Sequence, residues 1–143
     1  MNGEIIPSLL AADHGRLAEA VAAVRAAGVR RVQIDVMDGR FVPNITVGLP
    51  VVRDLARLRE VELDVHLMIE RPGEWVERFA DAGARVLTVH AEADPHLHRT
   101  VALVRKRGCL AGVAVNPGTP VLLLEEMLAE IDVALVMTVN PGF

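Results

Sequence analysis

Residues 32–44 read Val32-Gln33-Ile34-Asp35-Val36-Met37-Asp38-Gly39-Arg40-Phe41-Val42-Pro43-Asn44, an apolar strand that ends in acid and then breaks into a Gly/Pro loop. Side chains alternate across a β-strand, so Gln33 and Asp35 share one face. The same spacing returns in Asp64-Val65-His66-Leu67-Met68, which sets Asp64 and His66 on one face of a second strand. If both faces look inward, Asp35 and His66 meet. The pairing expected around this stretch therefore decides both the fold and the site.

Outward from it, short aliphatic runs alternate with amphipathic Ala/Leu/Arg/Glu segments, the pattern of βα units around a parallel sheet. The pattern predicts strands at 5–10, 31–36, 61–68, 85–90, 110–115 and 133–139, with helices at 14–27, 49–58, 72–82, 95–107 and 120–131. Gly28, Gly83 and Gly108 each follow a helix, where a left-handed C-cap favours a residue without Cβ. Asp94-Pro95 and Thr119-Pro120 each place a capping side chain before a proline at the first helical position. The interval between strands, about 25 residues, fits single βα units rather than a solenoid.

Polar residues collect where strands end: Ser8, Gln33 with Asp35, His66, His90, Asn116 and Asn140. In a TIM (β/α)8 barrel the C-terminal strand ends build the active site. A closed barrel takes eight strands and typically 200 residues or more. This chain, residues 1–143, reads as one partial barrel domain of about six strands and about five helices, ending in mid-loop at Asn140-Pro141-Gly142-Phe143.

Composition narrows the function. With 52% hydrophobic and 3% aromatic residues the chain suits one Ala/Val/Leu-rich globular unit, and a net charge of -4 with interspersed signs leaves no basic stripe for nucleic acid. Cys109 stands alone, excluding a disulfide framework and a thiolate zinc cluster. The N-terminal MNGEIIPSLL has no signal-peptide pattern, and no apolar run reaches membrane-spanning length. A cytoplasmic protein with small-molecule partners is expected. The single lysine, Lys106, falls near the end of a predicted helix, which disfavours Schiff-base chemistry, and there is no Gly-x-Gly-x-x-Gly after a strand for a dinucleotide.

On spacing alone Asp35 and His66 could ligate a divalent metal, exchange protons, or form a structural hydrogen-bonded pair, and the structural pair is the first expectation. His90 reads as a satisfied histidine at the core rim. His96 and His98 do not face one another on a helix. Asp38, Asn116 and Asn140 suit turns, and Trp75 with Phe79 suits core packing.

The segments Ile6-Pro7-Ser8-Leu9-Leu10-Ala11-Ala12-Asp13, Ile34-Asp35-Val36-Met37-Asp38-Gly39 with Phe41-Val42-Pro43-Asn44, Asp64-Val65-His66-Leu67-Met68, Asn116-Pro117-Gly118-Thr119-Pro120 and Met137-Thr138-Val139-Asn140-Pro141-Gly142-Phe143 together resemble the ribulose-phosphate 3-epimerase family, in order along the whole chain. The resemblance implies a (β/α)8 barrel that interconverts D-ribulose 5-phosphate and D-xylulose 5-phosphate, a pentulose phosphate isomerisation of the pentose phosphate pathway. It implies a divalent cation, commonly Zn, Fe or Mn. By the family pattern Asp35 would be both metal ligand and one of two acid/base groups, and His66 a ligand. Ser8 and His66 would lie at the substrate, and Met37, Met68 and Met137 would line the pocket. Ordinary core filling is the competing role for the methionines.

Two departures stand out. The family pattern has histidine where this chain has Gln33, whose amide oxygen is a poorer donor to a first-row transition metal. The second catalytic aspartate and the glycine-rich phosphate site of the family have no counterpart up to Phe143. The rival expectation is an inactive truncated fragment, or a half-barrel that binds a partner or forms a homo-oligomer through unpaired strand edges.

Overall fold

The computed structural model describes residues 3–143; Met1 and Asn2, the start of the stretch read for a leader, lie outside the described residues. Five parallel strands, β1 (Arg31–Met37), β2 (Glu62–Met68), β3 (Val86–His90), β4 (Leu110–Val115) and β5 (Val133–Val136), stand side by side in chain order. Helix α1 (Leu17–Ala26) precedes β1, and α2 (Leu49–Leu58), α3 (Val76–Ala82) and α4 (Leu97–Lys106) make the first three crossovers. The architecture is a partial TIM barrel, the expected fold class.

The two-residue alternation read in the sequence sorts the sheet into two faces. Val32, Ile34 and Val36, Leu63, Val65 and Leu67, Leu87 and Val89, and Ala111, Val113 and Val115 all belong to one buried core, together with Val52, Leu55, Val76, Phe79, Val101 and Val104 of the helices. Each such Val, Ile, Leu or Phe side chain removed from water contributes about 1.5–3 kcal/mol. The other face carries the polar rows. β1 and β2 register in phase, with Gln33 opposite Asp64, Asp35 opposite His66 and Met37 opposite Met68. His66 in turn stands opposite Thr88 of β3. Space on this face is tight: a Cβ on Gly112 would lie 2.2 Å from Thr88 Oγ1.

The predicted strand at 5–10 shrinks to one parallel bridge, Ser8 to Gln33, with Gln33 N–H donating to Pro7 O at 2.9 Å. Pro7 has no N–H to offer a ladder, and Ser8 Oγ accepts the N–H of Leu10 at 3.1 Å, turning the chain into a 3-10 segment, Leu9–Ala11. At the other end β5 stops at Val136 rather than 139, paired with β4 on one side only.

The helix predicted at 120–131 is instead a 3-10 segment, Val121–Met127. Leu122 and Leu128 stay exposed there, and a helix draws most of its stability from packing an apolar face. Helix α2 spans the predicted 49–58, whereas α1 and α3 start later than predicted because 3-10 turns at His14–Arg16 and Pro72–Glu74 take up their first residues, and α4 starts at Leu97 rather than 95.

The glycine caps are as expected: Gly28, Gly83 and Gly108 have φ of 92°, 106° and 79°. Asp94 is not the N-cap expected, since α4 begins at Leu97 with His96 as its cap residue; its carboxylate instead braces the turn before the helix, accepting the N–H of His96 at 2.8 Å and the hydroxyl of Thr100 at 2.5 Å. Thr119 does not cap the segment after it; its hydroxyl donates to Glu92 at 2.5 Å. Phe79 is core as predicted, whereas Trp75 is 36% exposed and stacks against the Arg78 guanidinium, 4.9 Å from its ring centre. Among the described residues no helix is long and apolar enough to cross a membrane.

Candidate active site

The end of β1 is held by the loop that follows it. Thr46 Oγ1 donates to the carbonyl of Asp35 at 2.5 Å and accepts the N–H of Met37 at 3.0 Å, folding the loop back over the strand. Asp38 Oδ1 accepts the N–H groups of Arg40 and Phe41, and its Oδ2 accepts that of Glu70, lashing the β1 loop to the β2 loop. Partial burial pushes the Asp38 carboxyl up, but these N–H donors outweigh it and its pKa is lowered. Asp38 is thus a turn residue, as read from the sequence.

Within this frame Asp35 is 7% exposed and His66 1% exposed, and His66 Nδ1 lies 2.9 Å from Asp35 Oδ1. The Gln33 amide nitrogen donates to the same Oδ1 at 2.8 Å and comes within 3.3 Å of His66 Nδ1. Ser8 Oγ donates to Asp35 Oδ2 in a short hydrogen bond. Burial alone would raise the Asp35 pKa; the hydrogen bonds from His66, Ser8 and Gln33 together reverse this and lower it. Asp35 is therefore an ionised carboxylate at neutral pH. Asp64, one turn of the pleat deeper, has the opposite outcome: burial dominates and its pKa is raised.

Behind His66 the network continues. Its Nε2 lies 2.8 Å from Nε2 of His90, the two rings stacked 4.9 Å apart at 25°. His90 is fully buried, covered by Phe41 at 5.0 Å, and its Nδ1 faces Glu92 Oε2 at 3.3 Å. Glu92 Oε1 accepts the Asn116 N–H at 2.7 Å and the Thr119 hydroxyl at 2.5 Å. Burial, then the charge of His66, lowers the His90 pKa to about 4, against the pull of Glu92 and the Asn116 side chain. His90 is a neutral imidazole.

The ribulose-phosphate 3 epimerase family model matches residues 4–143. The chain belongs to this family. The ribulose-phosphate 3-epimerase of Bacillus subtilis (strain 168) is 49% identical over 140 residues, a match covering 98% of this chain and 64% of the relative. That of Synechocystis is 50% identical over 141 residues, covering 97% and 61%. The chloroplastic ribulose-5-phosphate-3-epimerase of Arabidopsis thaliana is 48% identical over 141 residues, covering 97% and 50%. The chain thus spans between half and two thirds of the length of these curated relatives.

Every residue that the epimerase resemblance points to borders one cavity of about 330 Å³: Ser8, Gln33, Asp35, Met37, His66, Met68 and Met137. Met37 and Met68 pack with Val42, Leu10 and Phe41 as a small cluster above the polar rows. His90 lies behind His66 and does not line the cavity, in keeping with its reading as a satisfied histidine. Asn116 keeps its turn, its backbone carbonyl accepting the Thr119 N–H at 2.9 Å, while its side-chain Oδ1 is buried with no hydrogen-bond partner within 3.5 Å among the described residues. Glu92 and Thr46 are the residues that sequence reasoning passed over. His90-x-Glu92 at a strand end is a signal that could have found the first; Thr46 sits in a loop, and nothing local marks it.

Asp35 and His66 fit a divalent cation, offering a carboxylate and an imidazole nitrogen that meet beside an open cavity. Gln33 presents its N–H side to them, and its amide oxygen would join only with the amide turned over. Among the described residues no set of three His, Cys, Asp or Glu side chains converges on one point.

Proposed function

We propose that this chain carries the Asp35 half of the catalytic apparatus of a ribulose-phosphate 3-epimerase, acting on D-ribulose 5-phosphate and D-xylulose 5-phosphate. The observation that carries the reading is the 2.9 Å approach of Asp35 Oδ1 to His66 Nδ1, from neighbouring parallel strands, at the wall of a cavity flanked by three methionines. The printed names of the relatives support the same reaction.

Epimerisation at C3 removes a proton from a carbon beside a ketone and returns one to the opposite face, through an enediolate. Asp35, ionised and pinned by Ser8 and Gln33, takes or returns the proton on its side. Asp35 and His66 would hold a divalent cation, Zn, Fe or Mn, with Gln33 a weak third ligand. When bound, such a cation supplies Lewis-acid charge to the enediolate oxygens. Met37, Met68 and Met137 give the reacting carbons a wall that neither protonates nor competes for a hard cation. Ser8 contacts both Asp35 and the substrate. The proton on the other face, and the phosphate, need groups beyond those that line this cavity.

The half-barrel reading has one observation of its own, the free edge of β5 beside exposed Val136, Leu122 and Leu128. That edge equally suits further βα units, so it does not favour a partner-binding role or self-association over the epimerase reading.

The test joins this chain to the remaining length of the Bacillus subtilis relative and follows ribulose 5-phosphate epimerisation with and without added Mn²⁺ or Zn²⁺. Metal-dependent turnover is expected, and Asp35→Asn lowers it by about 10²–10⁴-fold, the range for a positioned acid/base group. Undiminished turnover in Asp35→Asn refutes the role.

A further inference from the structure

We infer that Thr46, in the loop after β1, is a positioning residue for Asp35. Its hydroxyl takes the place of a missing strand neighbour at the end of β1 and so holds the carboxylate where Ser8, Gln33 and His66 meet it. The use of this device rests on the epimerase reading, which gives Asp35 the proton transfer; the geometry stands without it.

On one side β1 has β2, in register from Arg31 to Met37. On its other edge the N-terminal segment supplies one bridge among the described residues, Ser8 to Gln33, with Gln33 N–H donating to Pro7 O at 2.9 Å. The segment then turns away into the 3-10 turn Leu9–Ala11, so no strand accompanies Asp35 and Met37 on that edge. Both residues are buried, where an unpaired backbone group is costly. Thr46 supplies the partners. A hydroxyl donates and accepts at once, and Thr46 Oγ1 does both, donating to Asp35 O at 2.5 Å and accepting Met37 N–H at 3.0 Å. Its own N–H donates to Met37 O at 3.3 Å, so a single loop residue satisfies three backbone groups around Asp35.

The carboxylate needs that anchor because its partners come from three separate places: Ser8 on the N-terminal segment, Gln33 earlier in β1 and His66 on β2. Oδ1 lies 2.8 Å from the Gln33 nitrogen and 2.9 Å from His66 Nδ1. A drift of about 1 Å at the strand end takes either contact out of hydrogen-bond range. The same anchor serves the cavity wall. Asp38 bridges Ile45 just before Thr46, and within the loop so closed Phe41 and Val42 pack on Met37 and Met68. One hydroxyl therefore fixes both the residue that moves the proton and the return point of the loop that covers the methionines.

The test uses the ¹³C,¹⁵N-labelled chain without added metal. Two NMR signals report the site with no reference to turnover: the side-chain amide protons of Gln33, which donate to Asp35 Oδ1, and the Hα–Hβ couplings of Asp35, which report its rotamer. Thr46→Val exchanges the hydroxyl for a methyl and should move the Gln33 amide towards its free position and average the Asp35 couplings. Thr46→Ser keeps the hydroxyl and should leave both as they are. Val101→Ala opens the outer core on α4, away from the site, and should also leave both unchanged. Unmoved signals in Thr46→Val overturn the inference, as do equal changes in Val101→Ala or in Thr46→Ser. Hydrogen exchange of the unaltered chain needs no variant to fold: a Met37 N–H exchanging as slowly as that of Ile34 is expected, and a freely exchanging one overturns the inference.

In the chain joined to the remaining length of the Bacillus subtilis relative, Thr46→Val should lower kcat by about 10²-fold with KM little changed, the signature of a misplaced reacting group, and Thr46→Ser should restore it. An undiminished kcat, or a loss confined to KM, overturns the inference while Asp35→Asn still abolishes turnover. Turnover that survives Asp35→Asn sinks the epimerase reading instead, and the NMR signals then decide the role of Thr46 alone.

Discussion

Ser8→Ala isolates the contact that ties the N-terminal segment to the site. Ser8 Oγ donates to Asp35 Oδ2 and accepts the N–H of Leu10 at 3.1 Å, so alanine removes two hydrogen bonds at once. A bond to a buried charge contributes about 1.5–3 kcal/mol, and a lost cap costs about 0.5–2 kcal/mol. Ser8 is half-buried, so water replaces part of its hydroxyl, and a net loss of about 2 kcal/mol is expected at pH 7.

The pH dependence separates the two contributions. The folded-state pKa of Asp35 is lowered below 3.8, so its ion stabilises the fold at neutral pH, and that stabilisation disappears as pH falls below 3.8 and then through the folded value. Removing the Ser8 donor raises the folded value towards 3.8, leaving the variant less to lose on acidification. The stability gap between the two proteins should therefore narrow by about 1 kcal/mol between neutral pH and a pH below the folded value, as the bond to a charge becomes a bond to a neutral carboxyl. Urea unfolding of the metal-free chain at both pH values, followed by far-UV circular dichroism, measures the gap, and the other carboxylates cancel in the difference. A gap that stays constant or widens in acid refutes the assignment of Ser8 to an ionised Asp35.

Gln33→His should tighten Zn²⁺ binding by about tenfold or more, about 1.4 kcal/mol, because imidazole outranks an amide oxygen as a donor; calorimetric titration giving equal affinities would contradict the role of this position. Leu67→Ala, in the fully buried outer core, should cost about 2–5 kcal/mol in urea unfolding, whereas Leu122→Ala, 75% exposed, should change stability by less than about 0.5 kcal/mol. Gly83→Ala should destabilise by more than about 1 kcal/mol, since φ is 106° and the new Cβ would stand 2.5 Å from that of Ala56; unchanged thermal unfolding would show that the cap can relax.

The strands and the inward set were legible because both follow from alternation within one strand. Asp35 and His66 needed only that rule and a parallel neighbour to be placed together, and the register supplies the rest. Periodicity could not tell whether the methionines wall a pocket or fill core, and Met37 and Met68 do both, buried in a small apolar cluster that borders the cavity. What escaped depends on contacts between distant segments. Glu92 looks like an ordinary acidic residue after a strand until Asn116 and Thr119 arrive from the next turn. Likewise the residues after Pro120 have a helical pattern, but a pattern does not stabilise a helix whose Leu122 and Leu128 face solvent. The strand at 5–10 failed for a local reason, the missing N–H of Pro7 and the competing hydroxyl of Ser8.

The in-phase register of β1 and β2 means that Asp35 and His66, 31 positions apart in sequence, are brought together by a single βαβ crossover. Segments nearest the N-terminus emerge from the ribosome first and can begin to fold there. A nascent polypeptide extending only a little past Met68 already contains both halves of that meeting point, before β3 has been synthesised. The meeting of Asp35 with His66 is therefore seeded in the first crossover, and any rearrangement of the barrel that keeps this unit intact inherits the pair ready-made.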